Sequence, residues 1–211
     1  MDKINNVTFS TYTESKYVQP FRMFYTQDGV DKTWDLVGVH QSVCIIIYNV
    51  TRKTLVFVRQ FRPAVYYGSI PPDERHSDKI DTDKYPGKLG LTLELCAGVV
   101  DKAKSLEEIA QEEVLEECGY KVPIENLQRV KTYRSGVGVS GESLTMFYAQ
   151  VDDDMKVAKG GGLESEGELI EVVEMSIAQV LEYLDQDEVQ SPSGFLFAVM
   201  WFLQNKEKII N

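Results

Sequence analysis

The pattern of apolar and polar positions changes character at Val43. Before it, short alternating pieces are broken by polar residues; from it, Val-Cys-Ile-Ile-Ile-Tyr48 is continuously apolar, and Thr54–Val58 is again rich in β-branched and aromatic residues. Apolar runs of this length, bounded by turn-forming residues, predict buried strands, here a hairpin joined over 49–53. Residues 20–37 read as an earlier hairpin about Gln27-Asp28-Gly29. Further on, strands are predicted at Leu91–Leu95, leading into a Cys96-Ala97-Gly98 turn, then at Leu127–Arg134, Leu144–Val151 and Leu169–Val173.

The period becomes helical in three places. Ser105 with Glu108 three residues on is a capping box, and Gly119 stands where a C-terminal glycine ends a helix. Ser176 opens a second helix to about Asp185, and Ser191-Pro192 opens the last. On that last helix Phe195, Val199 and Phe202 share one stripe, which reads as core or subunit packing. Residues 70–90, rich in proline and without period, read as a loop whose His76 is solvated. Lys156–Leu163, with three successive glycines, reads as a mobile loop of the kind that closes over a site. No internal repeat and no second catalytic domain are visible.

Composition adds bounds. A chain of 211 residues with 43% hydrophobic and 26% charged residues suits one globular domain with an extension. The net charge of −11 argues against a nucleic-acid partner, and it repels a phosphorylated substrate unless cations intervene. Cys44, Cys96 and Cys118 have neither zinc-site nor disulfide-framework spacing, so buried free thiols are expected. With no basic-then-apolar leader, and an apolar run at Phe195–Leu203 too short to span a bilayer, the expectation is a cytoplasmic protein without membrane partners.

The chemistry concentrates in the helix after Ser105. It carries Glu107, Glu108, Glu112, Glu113, Glu116 and Glu117 with no lysine or arginine. Like charges at i,i+4 repel by roughly 0.2–0.5 kcal/mol per pair, and Glu116 and Glu117 lie toward the negative end of the helix dipole. Glu113, Glu116 and Glu117 fall on one stripe. Left to itself this is a solvated acidic helix; a divalent cation turns the repulsion into coordination, and hard oxygen ligands suit Mg²⁺ or Mn²⁺.

The stretch Gly98–Tyr120 resembles the Nudix box, G-x5-E-x7-R-E-U-x-E-E-x-G-U, with Gly98, Glu113-Val114, Glu116-Glu117 and Gly119-Tyr120 at the family's spacing. Lys104 stands where the box has its first glutamate, and Glu112 where it has arginine. The resemblance implies an α+β fold (an α/β/α sandwich, the Nudix fold) with a mixed central sheet flanked by helices. It adds an N-terminal β extension over 1–40, serving dimerisation, to a hydrolase domain over 41–211. It implies metal ligands at Glu113, Glu116, Glu117 and the Ala97 carbonyl. A general base then comes from a later loop, where Gly-Leu-x-x-Glu-x-Glu puts Glu166 and, beside it, Glu168; Glu142 on the glycine-rich stretch 135–142 is the second candidate.

Further segments, among them Gln60-Phe-Arg62-Pro63, Glu94-Leu-Cys-Ala-Gly98 and Ser135-Gly-Val-Gly138, are similar to the UDP-sugar pyrophosphatases of animals, in the branch that also cleaves ADP-ribose. This implies cleavage of a nucleotide-sugar such as UDP-glucose to UMP and a sugar 1-phosphate by a homodimer. Substrate contacts then fall to Arg62, Glu94, Trp34, Gly138 and Glu142. Arginine pairs bidentately with phosphate oxygens, and a tryptophan can stack on a base. ADP-ribose hydrolysis, and a catalytically degenerate nucleotide-binding module, are the alternatives.

Overall fold

The computed structural model describes residues 1–10, 15, 18–75 and 79–210, so His76 lies outside the described residues. Two layers of helix enclose one sheet. In chain order come β1 (Gln19–Gln27), β2 (Val30–Gly38), β3 (Ser42–Asn49), β4 (Thr54–Phe61), α1 (Pro63–Ser69), β5 (Leu91–Glu94), β6 (Cys96–Val99) and α2 (Leu106–Cys118). They are followed by β7 (Leu127–Arg134), β8 (Ser143–Val151), β9 (Ile170–Ser176), α3 (Ile177–Leu184) and α4 (Ser193–Ile209).

The main sheet runs β5-β4-β3-β8-β7, with β6 on β3 and β9 on β4. β3 and β8 are parallel and the other pairs antiparallel, so the sheet is mixed as expected. The continuous apolar run of β3 has a direct cause, since both its faces are covered. Val43, Ile45 and Ile47 meet Ile109, Ala110, Val114 and Cys118 of α2. The alternate residues Cys44, Ile46 and Tyr48 meet Val180 of α3 and Phe195, Ala198, Val199 and Phe202 of α4. The stripe read on α4 is therefore core, and all three cysteines are buried and free.

β3 and β4 pair only through Ile47–Asn49 against Thr54–Val56. Beyond that the two strands part. β6 takes the edge of β3 over Ser42–Ile45, and β5 takes the edge of β4 over Val58–Phe61. The Cys96-Ala97-Gly98 stretch is thus a strand, not the turn its glycine suggested, because β3 offers it an unpaired edge. Helix α1 went unread in the sequence: seven residues, begun by Pro63 in the first turn, carry too little period to register.

β1 and β2 form a separate hairpin about Asp28 and Gly29, both at positive φ. Residues 1–10 add no strand; Ile4 and Val7 pack with Tyr66, Ile70 and Ile80 over α1. Among the described residues no helix is long and apolar enough to cross a membrane.

Candidate active site

The site lies where β3 and β4 part. Its acidic wall is α2, whose ends are fixed as the sequence predicts: the Ser105 and Glu108 capping box is closed in both directions, and Gly119 is left-handed at φ 74°. Glu117 is only 3% exposed. Its Oε2 accepts the backbone N–H of Ala97 at 3.0 Å, tying α2 to β6. Burial pushes this carboxyl up to about 8, against the opposing effect of the Ala97 N–H. Glu113 is pushed up to about 7, first by burial and then by the charges of Glu116 and Glu168. Glu116 is raised by burial as well. Gly98 has no side chain because Glu113 occupies the space: a Cβ there would lie 1.9 Å from Glu113 Oε1.

The segment 156–162 is pinned rather than mobile. Val157 and Ala158 donate backbone N–H groups to the Gly119 carbonyl, Gly161 donates to Glu117 O at 2.8 Å and Gly162 to Glu116 O at 3.1 Å. Lys156 Nζ donates to Cys118 O at 2.6 Å. The last carbonyls of α2, which a helix leaves unpaired, are thereby capped from a distant segment. Gly160 permits the approach, since a Cβ there would meet Glu117 O at 2.4 Å.

The chain then carries Glu166 and Glu168 toward α2. Glu168 accepts from Leu163 N–H at 2.9 Å, and its charge is felt at Glu113, Glu116 and Glu117. Glu166 is exposed on a short 3₁₀ turn, its charge felt at Glu113 and Glu116.

Facing this cluster from the β4 side, Arg62 grips Glu94 by a fork of two bonds, Nε to Oε1 at 2.8 Å and Nη2 to Oε2 at 2.7 Å. Thr92 Oγ1 donates to the same carboxylate at 2.5 Å. Glu94 is buried, yet these donors hold its carboxyl below its ordinary value against the opposing effect of burial. The structure thus brings Arg62 and Glu94 together as a pair, with the charges of Glu117 and Glu168 also felt at Arg62.

The remaining residues singled out in the sequence gather on a second feature. Trp34 on β2 donates its indole N–H to Gly138 O at 3.0 Å, and Val37 N–H donates to Val139 O at 2.9 Å. The hairpin is docked on the glycine-rich loop by these bonds, with the Trp34 ring 53% exposed. That loop leaves the sheet at the same end as Gly98, because Ser42 of β3 pairs with Val99 on one side and Leu144 on the other. Two strand spacings, about 10 Å, separate them. Glu142 folds back on its own loop to accept the Ser140 hydroxyl, which holds its carboxyl low against its partial burial.

No family model matches the chain. It is 42% identical over 214 residues to the uridine diphosphate glucose pyrophosphatase of Mus musculus, covering 96% of this chain and 95% of that protein. The corresponding protein of Bos taurus is 41% identical with the same coverage. The GDP-mannose pyrophosphatase of Cronobacter sakazakii is 31% identical over 74% of this chain and 70% of its own length. The chain belongs to the Nudix hydrolase family.

The two departures from the Nudix box are now seen to touch. Lys104 Nζ, just before the helix cap, donates to Glu112 Oε1, and Lys102 Nζ lies 3.9 Å from Glu112 Oε2. The helix that carries no cation of its own receives two from the preceding loop. Sequence reading missed this, although the signal was there: the two positions that break the Nudix pattern carry opposite charges.

Among the described residues no three histidine, cysteine, aspartate or glutamate side chains are gathered into a finished metal cage. The donor chemistry nonetheless fits a hard divalent cation. Glu113, Glu116 and Glu117 offer only oxygen, none of them is in a salt bridge among the described residues, and burial leaves Glu113 and Glu117 short of counter-charge.

Proposed function

We propose that this protein is a Mg²⁺-dependent pyrophosphohydrolase that cleaves UDP-glucose and related UDP-sugars to UMP and a sugar 1-phosphate, working as a homodimer in the cytoplasm. The observation that carries the reading is the buried Glu117, tied to Ala97 beside a Glu113 pressed onto Gly98. It occurs in a chain whose relatives in mouse and cattle are named for UDP-glucose cleavage.

Glu113 and Glu117, with Glu116 and the Ala97 carbonyl, would hold the cation. Once bound, Mg²⁺ (or Mn²⁺) neutralises the diphosphate and withdraws charge from the phosphorus under attack. The chain's own groups do the rest. Arg62, kept in orientation by Glu94, faces the diphosphate, and Trp34, held by Gly138, stacks on the base. Glu166 takes the proton as a water oxygen bonds to phosphorus and the bridging oxygen leaves with its electron pair. Glu168, anchored at Leu163 N–H, sets the path of that loop, and Glu142 is the alternative candidate for the same base. The hairpin supports the dimer: Phe21, Met23 and Val30 on one of its faces and Phe24 on the other are exposed, Phe24 by 75%, as expected of a ribbon that a second copy packs around.

The test is the set of products from UDP-glucose, ADP-ribose and GDP-mannose with Mg²⁺, for wild type and Glu117→Gln, with molar mass measured by light scattering. UMP and glucose 1-phosphate from the wild type alone, with UDP-glucose preferred, bear the reading out. Nucleotide binding without turnover in either protein returns the chain to a binding module.

A further inference from the structure

We propose that Lys104 and Glu112 are a charge-reversed clamp that positions Glu113 for the cation; this rests on the reading of Glu113 and Glu117 as its ligands. The Nudix box places a glutamate in the loop and an arginine on the helix, and this chain places a lysine in the loop and a glutamate on the helix. Two independent departures would leave each charge to find its own partner. Instead they meet, Lys104 Nζ donating to Glu112 Oε1, so each departure supplies the other's opposite charge.

The placement of the pair says what it does. Lys104 is the last residue before the Ser105 cap, and Glu112 lies two turns along the helix, next in sequence to Glu113. The contact spans the corner between the loop from Gly98 and the body of α2. That corner is where Glu113 sits against Gly98 with no room for a Cβ, so a small rotation of α2 about its axis drives the carboxylate into β6 or out of the site. Lys104 also feels Glu108 and Glu116, which with Glu112 form one line along the helix at i, i+4, i+8. It is the counter-charge for that whole line, assisted by Lys102 at 3.9 Å.

The pair is partly exposed, with 40% and 34% of the two side chains accessible. Exposed pairs contribute little to global stability, so variants should fold and the effect should appear at the site. Lys104 and Glu112 are thus positioning residues, not ligands.

The experiment compares K104E, E112R and the double variant K104E/E112R, which restores the polarity of the Nudix box. Two quantities are read: Mn²⁺ affinity by electron paramagnetic resonance without substrate, and kcat on UDP-glucose with saturating Mg²⁺. K104E adds negative charge near the cation, which by attraction alone would tighten Mn²⁺. The clamp predicts the opposite, at least fivefold weaker Mn²⁺ and at least tenfold lower kcat, with both returning to within threefold of wild type in the double variant.

Tighter or unchanged Mn²⁺ in K104E, or a double variant no better than the singles, overturns the clamp. If K104E does not fold by circular dichroism, Lys104→Gln decides instead: it must lower kcat while Lys104→Arg does not. Glu117→Gln is run alongside. If it is inactive while the charge variants behave as wild type, the clamp falls and the metal site stands; if it is fully active, the metal site falls, and the clamp with it.

Discussion

Glu113 fills the space that any side chain on Gly98 would need. A Cβ on that glycine would come within 1.9 Å of Glu113 Oε1 and 2.1 Å of its carboxyl carbon, far inside contact distance. The requirement for glycine here comes from a helix fifteen residues later in the sequence, since the Gly98 backbone itself pairs as an ordinary strand with Val43.

Gly98→Ala should therefore keep the fold and lose the chemistry. The methyl group displaces the end of a flexible side chain, so thermal stability should fall modestly, by about 1–3 kcal/mol as for overpacked interiors. Loss of about 100-fold or more in kcat on UDP-glucose, at near-native circular dichroism, is the expected result.

Glu117→Gln should abolish turnover and raise the stability of the metal-free protein. A carboxyl pushed up to about 8 by burial is charged at pH 8.5 at the expense of folding, and the neutral amide removes that cost. A gain of a few kcal/mol is expected, which for a protein of this size is about 2–4 °C in Tm per kcal/mol. Calorimetry in the presence of a chelator measures it.

The pH dependence follows in sign. The folded protein holds protons on Glu113 and Glu117 up to about 7 and 8, whereas the unfolded chain loses them in the usual carboxylate range. The stability due to these two groups is therefore present at acid pH and lost as pH rises through about 7 to 8. A cation takes the place of those protons, so Mg²⁺ should raise Tm more at pH 8.5 than at pH 6. An increment in Tm that shrinks with rising pH would contradict the assignment.

Arg62→Ala leaves Glu94 buried with Thr92 as its nearest remaining donor. A stability loss of about 1–3 kcal/mol is expected, at the lower end because Arg62 is half exposed and water reaches the vacated space. With Arg62 on the diphosphate, KM for UDP-glucose should rise at least tenfold. Arg62→Lys should recover the stability more fully than the KM, since a lysine cannot reproduce the two-bond fork.

Much of the framework follows from local rules. The capping boxes at Ser105 with Glu108 and at Ser176 with Gln179, the left-handed stop at Gly119, the core stripe of α4 and the strands β3 and β4 each depend on residues within one short segment of the chain. So does the alignment of Glu113, Glu116 and Glu117 on one face, which marks the family box and an all-oxygen set of donors.

Other features needed the tertiary structure, because each contact joins residues far apart in sequence. Cys96–Gly98 became a strand only because β3 presented it an open edge. The glycines at 160–162 became a cap only because the end of α2 lay beside them. Trp34 found Gly138 across 104 residues, and Arg62 found Glu94 across 32. Even the separation of eight positions from Lys104 to Glu112 crosses a loop and a helix corner, which periodicity cannot measure.

The sequence by itself determined the acidic face, the turn residues that bound it and the apolar runs that bury it, since these arise from propensity and period along one segment. Only the fold decided how buried each carboxylate is, and which donor or cation faces it. Burial and the field at a charge are summed over every segment that packs around it.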